Sequence, residues 1–310
     1  MNLKNLSIAF PPQSVTNKKY QELFPSWNRE KFELKVGIES RYVANEIGVA
    51  EMAMNALEGL NIDTKPGKDD ILIFCSQSPD YKFPGPGHEL AKLMAFNNEL
   101  GIIDVNLGCS GYVHSLMLAS AIIRSKTAKR VFIITSETYS KQIAQHDVNN
   151  LAMFGDAATA SMIDSSSEVG EHFVYGSDGK GFDNLYCAHF KNKQSFLQMN
   201  GPEILNFTME RIPIVFKELL EKNRLTKDEV DYVIFHQANS LVVNNLAQLC
   251  NLTKNQYHCD VKFTGNTVSN SIPIALYNAY QEKRIVSGNL VMLIGFGVGY
   301  SWSGGIIKVK

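Results

Sequence analysis

Neither sign of charge prevails in this sequence: 30 lysines and arginines stand against 31 aspartates and glutamates among 310 residues. Without a basic excess or an acidic tail, nucleic acid is not expected as a partner. Long apolar runs are missing too, and none reaches the roughly 18 residues of a membrane span. The opening stretch, Met1-Asn-Leu-Lys-Asn-Leu6, has no apolar signal-peptide core, so a cytoplasmic location is expected. Cysteine is sparse. Cys75, Cys109, Cys187, Cys250 and Cys259 lie far apart with no Cys-x-x-Cys pair, which argues against both a disulfide framework and a zinc site. The histidines show neither His-x-x-x-His nor His-Glu-x-x-His spacing, and no glycine-rich phosphate loop is present. Neither a metal nor a nucleotide cofactor is therefore expected.

What remains is an ordinary globular composition, 45% hydrophobic and 20% charged, long enough for a sizeable core in one or two domains. The first 40 residues read as irregular. Val49, Met52, Ala53, Ala56, Leu57 and Leu60 recur at helical spacing and predict a helix over 47–60. Apolar runs at 71–75, 102–107 and 131–134 read as strands, those at 71–75 and 131–134 as buried on both faces, as in a parallel sheet. A Pro/Gly loop over 79–87 and a helix over 88–97 lie between them, and a strand over 157–164 closes this half. Residues 165–199 shift toward Ser, Gly, Lys and Asn and read as a connection with a surface flap. An amphipathic helix is expected over 202–223. Then the pattern returns: Lys227 to His236 parallels Lys68 to Cys75, Asn289 to Ile294 parallels Arg130 to Ile134, and Ser303 to Val309 parallels Ala157 to Ile163. Two similar α/β halves, 1–165 and 166–310, packed as one pseudo-duplicated body are the expectation.

Chemistry gathers at the tips of these strands. Gly108-Cys-Ser-Gly111 stands between a strand and a long helical segment over 112–123. A strand, a tight turn and a helix lift one side chain to a helix N-terminus, where the dipole favours an anion. A cysteine so placed should have a lowered pKa and act as a nucleophile, although Cys109 reads equally as a small buried apolar residue. In the second half His236-Gln-Ala-Asn239 ends one strand, Gly265-Asn266-Thr267 follows a strand at 261–263, and Gly295-Phe-Gly-Val-Gly299 ends another. Sheet ligands collect at such carboxyl ends. Each also has a plainer reading: a structural histidine, a turn asparagine, a tight hairpin. His88, His114, His146, His172, His189 and His258 read as helix or loop residues without partners. Asp156 reads as a buried turn carboxylate bonding backbone N–H groups, and Ser110 sits one place off a Gly-x-Ser-x-Gly pattern. Should Cys109, His236 and Asn266 converge, a neutral imidazole and a carboxamide offer two donors to a thioester carbonyl as it becomes an enolate. A cysteine holding the acyl group for that enolate describes decarboxylative Claisen condensation.

The motifs Gly108-Cys-Ser-Gly111, Phe154-Gly-Asp-Ala157, His236-Gln-Ala-Asn239, Gly265-Asn-Thr267 and Phe296-Gly-Val-Gly-Tyr-Ser-Trp302 resemble, in order and spacing, the β-ketoacyl-acyl carrier protein synthase III family of the thiolase superfamily. The resemblance runs from about Val36 to Val309. It implies a five-layered α-β-α-β-α fold, a homodimer, and acyl carrier protein as partner. It further implies that Cys109 accepts the acyl chain while His236 and Asn266 hold the extender, with an oxyanion hole from the backbone N–H groups of Cys109 and Val298. Phe154 and Phe296 would line the acyl pocket, and Phe83 would enter it from the other subunit. Three departures from the family pattern stand out. The Trp and two Arg that clasp coenzyme A are Lys31, Lys35 and Val148 here, and an ammonium cannot stack as an indole or guanidinium does. Ser240-Leu241 replaces a carrier-docking basic residue, which leaves Lys217, Lys222 or Lys254 for that task. Val298 narrows the space beside the thioester. These departures favour a specialised pathway over fatty acid initiation. Transfer to an amine or alcohol, and a non-catalytic acyl-binding subunit, are the competing readings.

Overall fold

Strands with uninterrupted apolar runs must be covered on both faces, and here two sets of them build two sheets. The computed structural model describes residues 1–60, 62, 64–96, 98–188 and 196–310. The first sheet has the order Leu6–Ala9, Ala157–Asp164, Arg130–Glu137, Asp70–Cys75, Gly101–Val105. Its last three strands are parallel and the remaining pairings antiparallel. The second sheet runs Tyr232–Phe235, Leu290–Gly297, Ser301–Lys308, Val174–Ser177, with only the first pairing parallel. From Asp70–Cys75 outward and from Tyr232–Phe235 outward, the two sheets repeat the same order and sense.

Alternation along the strands sets the layers. Ile73, Val131 and Ile133 of the first sheet, and Ile234, Val291 and Leu293 of the second, share one core with helices Gly111–Arg124 and Ser271–Gln281. Leu72, Phe74, Phe132 and Ile134 turn the other way, onto helices Val49–Glu58 and Pro86–Leu93. Val233, Phe235, Met292 and Ile294 do likewise onto Gly201–Asn223 and Ser240–Leu249. The result is helix, sheet, helix, sheet, helix: the five-layered α/β arrangement. Each large side chain so buried contributes roughly 1.5–3 kcal/mol, and the central layer is buried from both sides.

Three expectations are corrected. The first 40 residues are not irregular: they hold the edge strand Leu6–Ala9, the strand Gln13–Thr16, which pairs antiparallel with Ser40–Val43, and between those two the helices Asn17–Leu23 and Arg29–Val36. These elements bury only one or two side chains each, such as Val15, Tyr20, Phe32 and Val36, too few to print a period. The stretch over 165–199 is more than a flap, because Val174–Ser177 forms the edge of the second sheet. No strand forms at 261–263. Val261 is buried but Lys262 and Phe263 are exposed, and the segment turns instead of pairing. It is thus an irregular segment, not a strand, that brings in Asn266. His189 lies outside the described residues.

Candidate active site

The nucleophile turn forms because strand Gly101–Val105 and helix Gly111–Arg124 are joined through Gly108, whose carbonyl accepts the N–H of Gly111 at 2.7 Å. Close approach makes three glycines obligatory. A Cβ on Gly111 would stand 2.3 Å from the Cys75 sulfur. One on Gly297 would stand 2.9 Å from the Cys109 Cβ and 3.2 Å from its sulfur, and one on Gly295 would strike the Cys109 carbonyl oxygen at 2.8 Å. The strand Leu290–Gly297 of the second sheet therefore lies directly against the cysteine carried by the first.

Asn266 arrives by a different route. Its N–H donates to Met153 O at 2.9 Å, and its carbonyl accepts from Gly155 N at 3.0 Å, so Phe154 and Asn266 are paired backbone to backbone. Gly155 permits this, since a Cβ there would stand 2.1 Å from Thr264 O, and Gly265 adopts the left-handed φ of 67° that the turn requires. The side-chain Oδ1 accepts from Val268 N at 2.9 Å, which leaves the amide –NH2 as the outward donor.

His236 follows the strand Tyr232–Phe235 and is 2% exposed. Its Nδ1 lies 2.7 Å from Ser271 Oγ, and that oxygen also accepts the Gln237 N–H at 3.3 Å. The Ser271 hydroxyl hydrogen is then available to Nδ1, which fits a neutral imidazole carrying its proton on Nε2. Burial alone pushes the imidazolium down to about 3. Ser271 was not among the residues expected here.

These pieces meet. Cys109, His236, Asn266, Phe154, Phe296 and Gly297 all line one cavity of about 620 Å³. The exposed Lys31, Lys35 and Asn149 line it at its mouth, so it runs from the surface to the buried cysteine. Trp27 also lines it, its indole N–H donating to Asn149 Oδ1 at 3.0 Å. An aromatic face therefore stands at the mouth although position 31 is a lysine. Motif alignment missed it because the indole comes from ahead of helix Arg29–Val36.

One electrostatic expectation is overturned. Burial, and after it the Glu137 carboxylate, push the Cys109 thiol up to about 12, against the dipole of the helix that follows. Val298 packs in the same apolar cluster as Cys109 and faces a second cavity of about 460 Å³, which shares Tyr139 and Leu185 with the first. Phe83 stands 76% exposed, outside the cavity of its own chain.

Asp156 is a buried turn carboxylate, accepting the N–H groups of Ala44 at 2.8 Å and Ser140 at 2.9 Å. Three histidines do have partners: His88 meets Asp104 at 3.4 Å, His114 the Ser110 carbonyl at 3.0 Å, and His258 the Tyr232 hydroxyl at 3.2 Å. The proposed docking lysines Lys217, Lys222 and Lys254 are all exposed, and Lys222 also donates to Phe173 O at 2.9 Å.

Two family models match the chain: 3-oxoacyl-[acyl-carrier-protein] synthase III over residues 103–179 and its C-terminal model over residues 220–309. The β-ketoacyl-[acyl-carrier-protein] synthase III 1 of Bacillus cereus is 30% identical to this chain, covering 97% of each. This chain belongs to the β-ketoacyl-[acyl-carrier-protein] synthase III family. The Clostridium tetani synthase III is 29% identical over 96% of this chain and 95% of its own length. A solved structure of a 3-oxoacyl-(acyl-carrier-protein) synthase III superposes with a TM-score of 0.94 at 30% identity, covering 99% of both chains. As a synthase III-like protein the chain is a condensing enzyme of the acyltransferase class, with the thiolase-type fold. Among the described residues no helix is long and apolar enough to cross a membrane.

Proposed function

We propose that the chain loads an acyl group onto Cys109 and condenses it with a malonyl-type thioester, releasing carbon dioxide. The supporting observation is the single cavity onto which Cys109 and His236 open from beyond strands of two different sheets, with Asn266 brought in by the irregular segment paired to Phe154. In the first step the Cys109 sulfur takes the acyl carbon and its proton passes to the departing thiolate of the donor. The extender enters next, its thioester carbonyl accepting from His236 Nε2–H and the Asn266 amide. As the carbon–carboxylate bond breaks, its electron pair becomes an enolate held by those two donors. The enolate attacks the acyl carbon, and the oxyanion formed there is met by the N–H groups of Cys109 and Val298. Collapse expels the Cys109 thiolate, which regains a proton. Donors aimed in this way are each worth about 10²–10³ in rate.

Burial disfavours a protonated His236, and its Nδ1 is taken up by Ser271 Oγ at 2.7 Å, which supports condensation over transfer to an amine or alcohol by general-base catalysis. The acyl pocket combines Phe154 and Phe296 with Phe83 of a second copy, in a homodimer. An acyl carrier protein is the donor and partner, with Lys31 and Lys35 at the mouth available to its acidic surface. The role lies in a specialised pathway, since the two arginines of the coenzyme A clasp are replaced by Lys35 and Val148 and Lys31 stands at the tryptophan position, with Trp27 as an aromatic face nearby.

Intact-mass measurement over a panel of acyl-carrier and acyl-coenzyme A donors tests this. An adduct on Cys109, absent from C109A, followed by a product two carbons longer than the donor after malonyl-carrier addition, is expected. A product in which the donor chain is joined to an amine or alcohol sinks the condensation. Rapid acetylation of Cys109 by tightly bound acetyl-coenzyme A sinks the specialised role.

A further inference from the structure

The last residue of strand Arg130–Glu137 is a carboxylate that the chemistry above does not use. Glu137 is 0% exposed. One oxygen accepts from Ser78 Oγ at 2.7 Å and Ser76 Oγ at 3.4 Å, residues that follow strand Asp70–Cys75. The other accepts from Ser269 Oγ at 2.8 Å, and the Gln77 N–H reaches both at 3.1 and 3.2 Å. Ser269 belongs to the turn Val268–Asn270, two residues beyond Asn266. A single buried carboxylate therefore ties the loop after a first-sheet strand to the turn that fixes Asn266.

That turn needs holding. Val268, whose N–H orients the Asn266 carboxamide, has a φ of 54°, a left-handed conformation that a β-branched residue strongly disfavours. Strain of that kind persists only where the surroundings over-determine the backbone. Two neighbours supply the constraint: Glu137 on Ser269, and Thr135 Oγ1 on Asn270 Oδ1 at 2.6 Å, with Asn270 Nδ2 donating to Ala157 O at 2.9 Å. Both Thr135 and Glu137 lie on the same strand.

We infer that Glu137 is a positioning residue for the condensation step, aiming the Asn266 amide at the extender through Ser269 and the strained Val268. This rests on the extender-binding role proposed for Asn266. The Ser269 bond serves one half-reaction, because Cys109 is carried by the Gly108–Gly111 turn and does not depend on it.

Ser269→Ala removes only the bond to the second sheet's side and leaves the Ser76, Gln77 and Ser78 bonds in place. In S269A, decarboxylation of malonyl-carrier protein should fall by roughly tenfold, the rate equivalent of one lost buried hydrogen bond. Loading of Cys109, followed by intact mass, should be undiminished and the melting temperature close to that of the parent. Glu137→Gln keeps the shape, and serine hydroxyls can reverse their donation, so E137Q should retain most of the decarboxylation that Glu137→Ala loses. Equal losses in both half-reactions with a lower melting temperature, or no loss at all in S269A, overturn the inference while leaving the condensation intact. A parent enzyme that neither loads Cys109 nor decarboxylates the extender overturns the reading beneath it as well.

Discussion

The Cys109 thiol is held up by its own surroundings, first by burial and then by the Glu137 carboxylate, itself raised by burial to about 7. Removing that negative charge stabilises the thiolate, so E137Q should alkylate faster with iodoacetamide at pH 8, by about threefold or more. Below pH 7 the parent carboxylate takes up a proton, and the two rates should converge. The measurement belongs in a Cys187→Ser background, because Cys187 is exposed and would otherwise react first. A difference that persisted at pH 5.5, or an E137Q rate below that of the parent, would count against this electrostatic account. His236, protonating only near 3, should leave no histidine step in the activity profile between pH 5 and 8. Cys109, His236 and Asn266 could be picked out from sequence because each sits in a motif with glycine or apolar neighbours. Ser269, Ser271 and Glu137 could not: their partners lie 132 and 35 residues away, and a polar side chain in a strand end or helix start carries no local mark of such a bond.

At the level of elements, the strand Leu290–Gly297 and the turn at Cys109 fit only because glycine faces the sulfur. Gly297→Ala should displace the cysteine and lower its loading by about 10²-fold, the scale of a 1 Å misplacement. Gly179→Ala, with nothing within 4 Å of the added carbon, should load Cys109 at the parent rate. Similar rates for the two variants would show that the close approach does not matter. Elements buried on both faces, such as Asp70–Cys75 and Arg130–Glu137, could be read from sequence to within a few residues. Elements lying on an edge could not. Gln13–Thr16 buries only Val15, and Val174–Ser177 only Val174, so neither shows an apolar run or an alternation. The strand expected at 261–263 failed for the same physical reason in reverse: its apolar residues are present, but Phe263 has no layer to face.

For the molecule as a whole, the exposed Phe83 is the residue that a dimer would explain. Sedimentation should give the mass of two chains. F83A should shift the preferred acyl chain length without abolishing loading of Cys109. Mixing F83A chains with C109A chains should restore the parent preference, because the one intact cysteine then receives Phe83 from its neighbour. A monomer in solution, or an unchanged preference in F83A, removes Phe83 from the acyl pocket. The repeated order of the two sheets was visible as a faint recurrence in the sequence, since the buried strands carry it. That residues 261–263 turn instead of pairing was not visible, since nothing local marks it.

The sulfur follows a strand of one sheet and the imidazole a strand of the other, across a shared layer of helices, while the carboxamide comes from the irregular segment of the second half that pairs with Phe154. A chain still emerging from synthesis, with only its first sheet assembled, would present a cysteine with no imidazole–carboxamide pair opposite it. Condensation thus waits until the interior has closed, because only then does the cysteine face the two donors that would hold an extender.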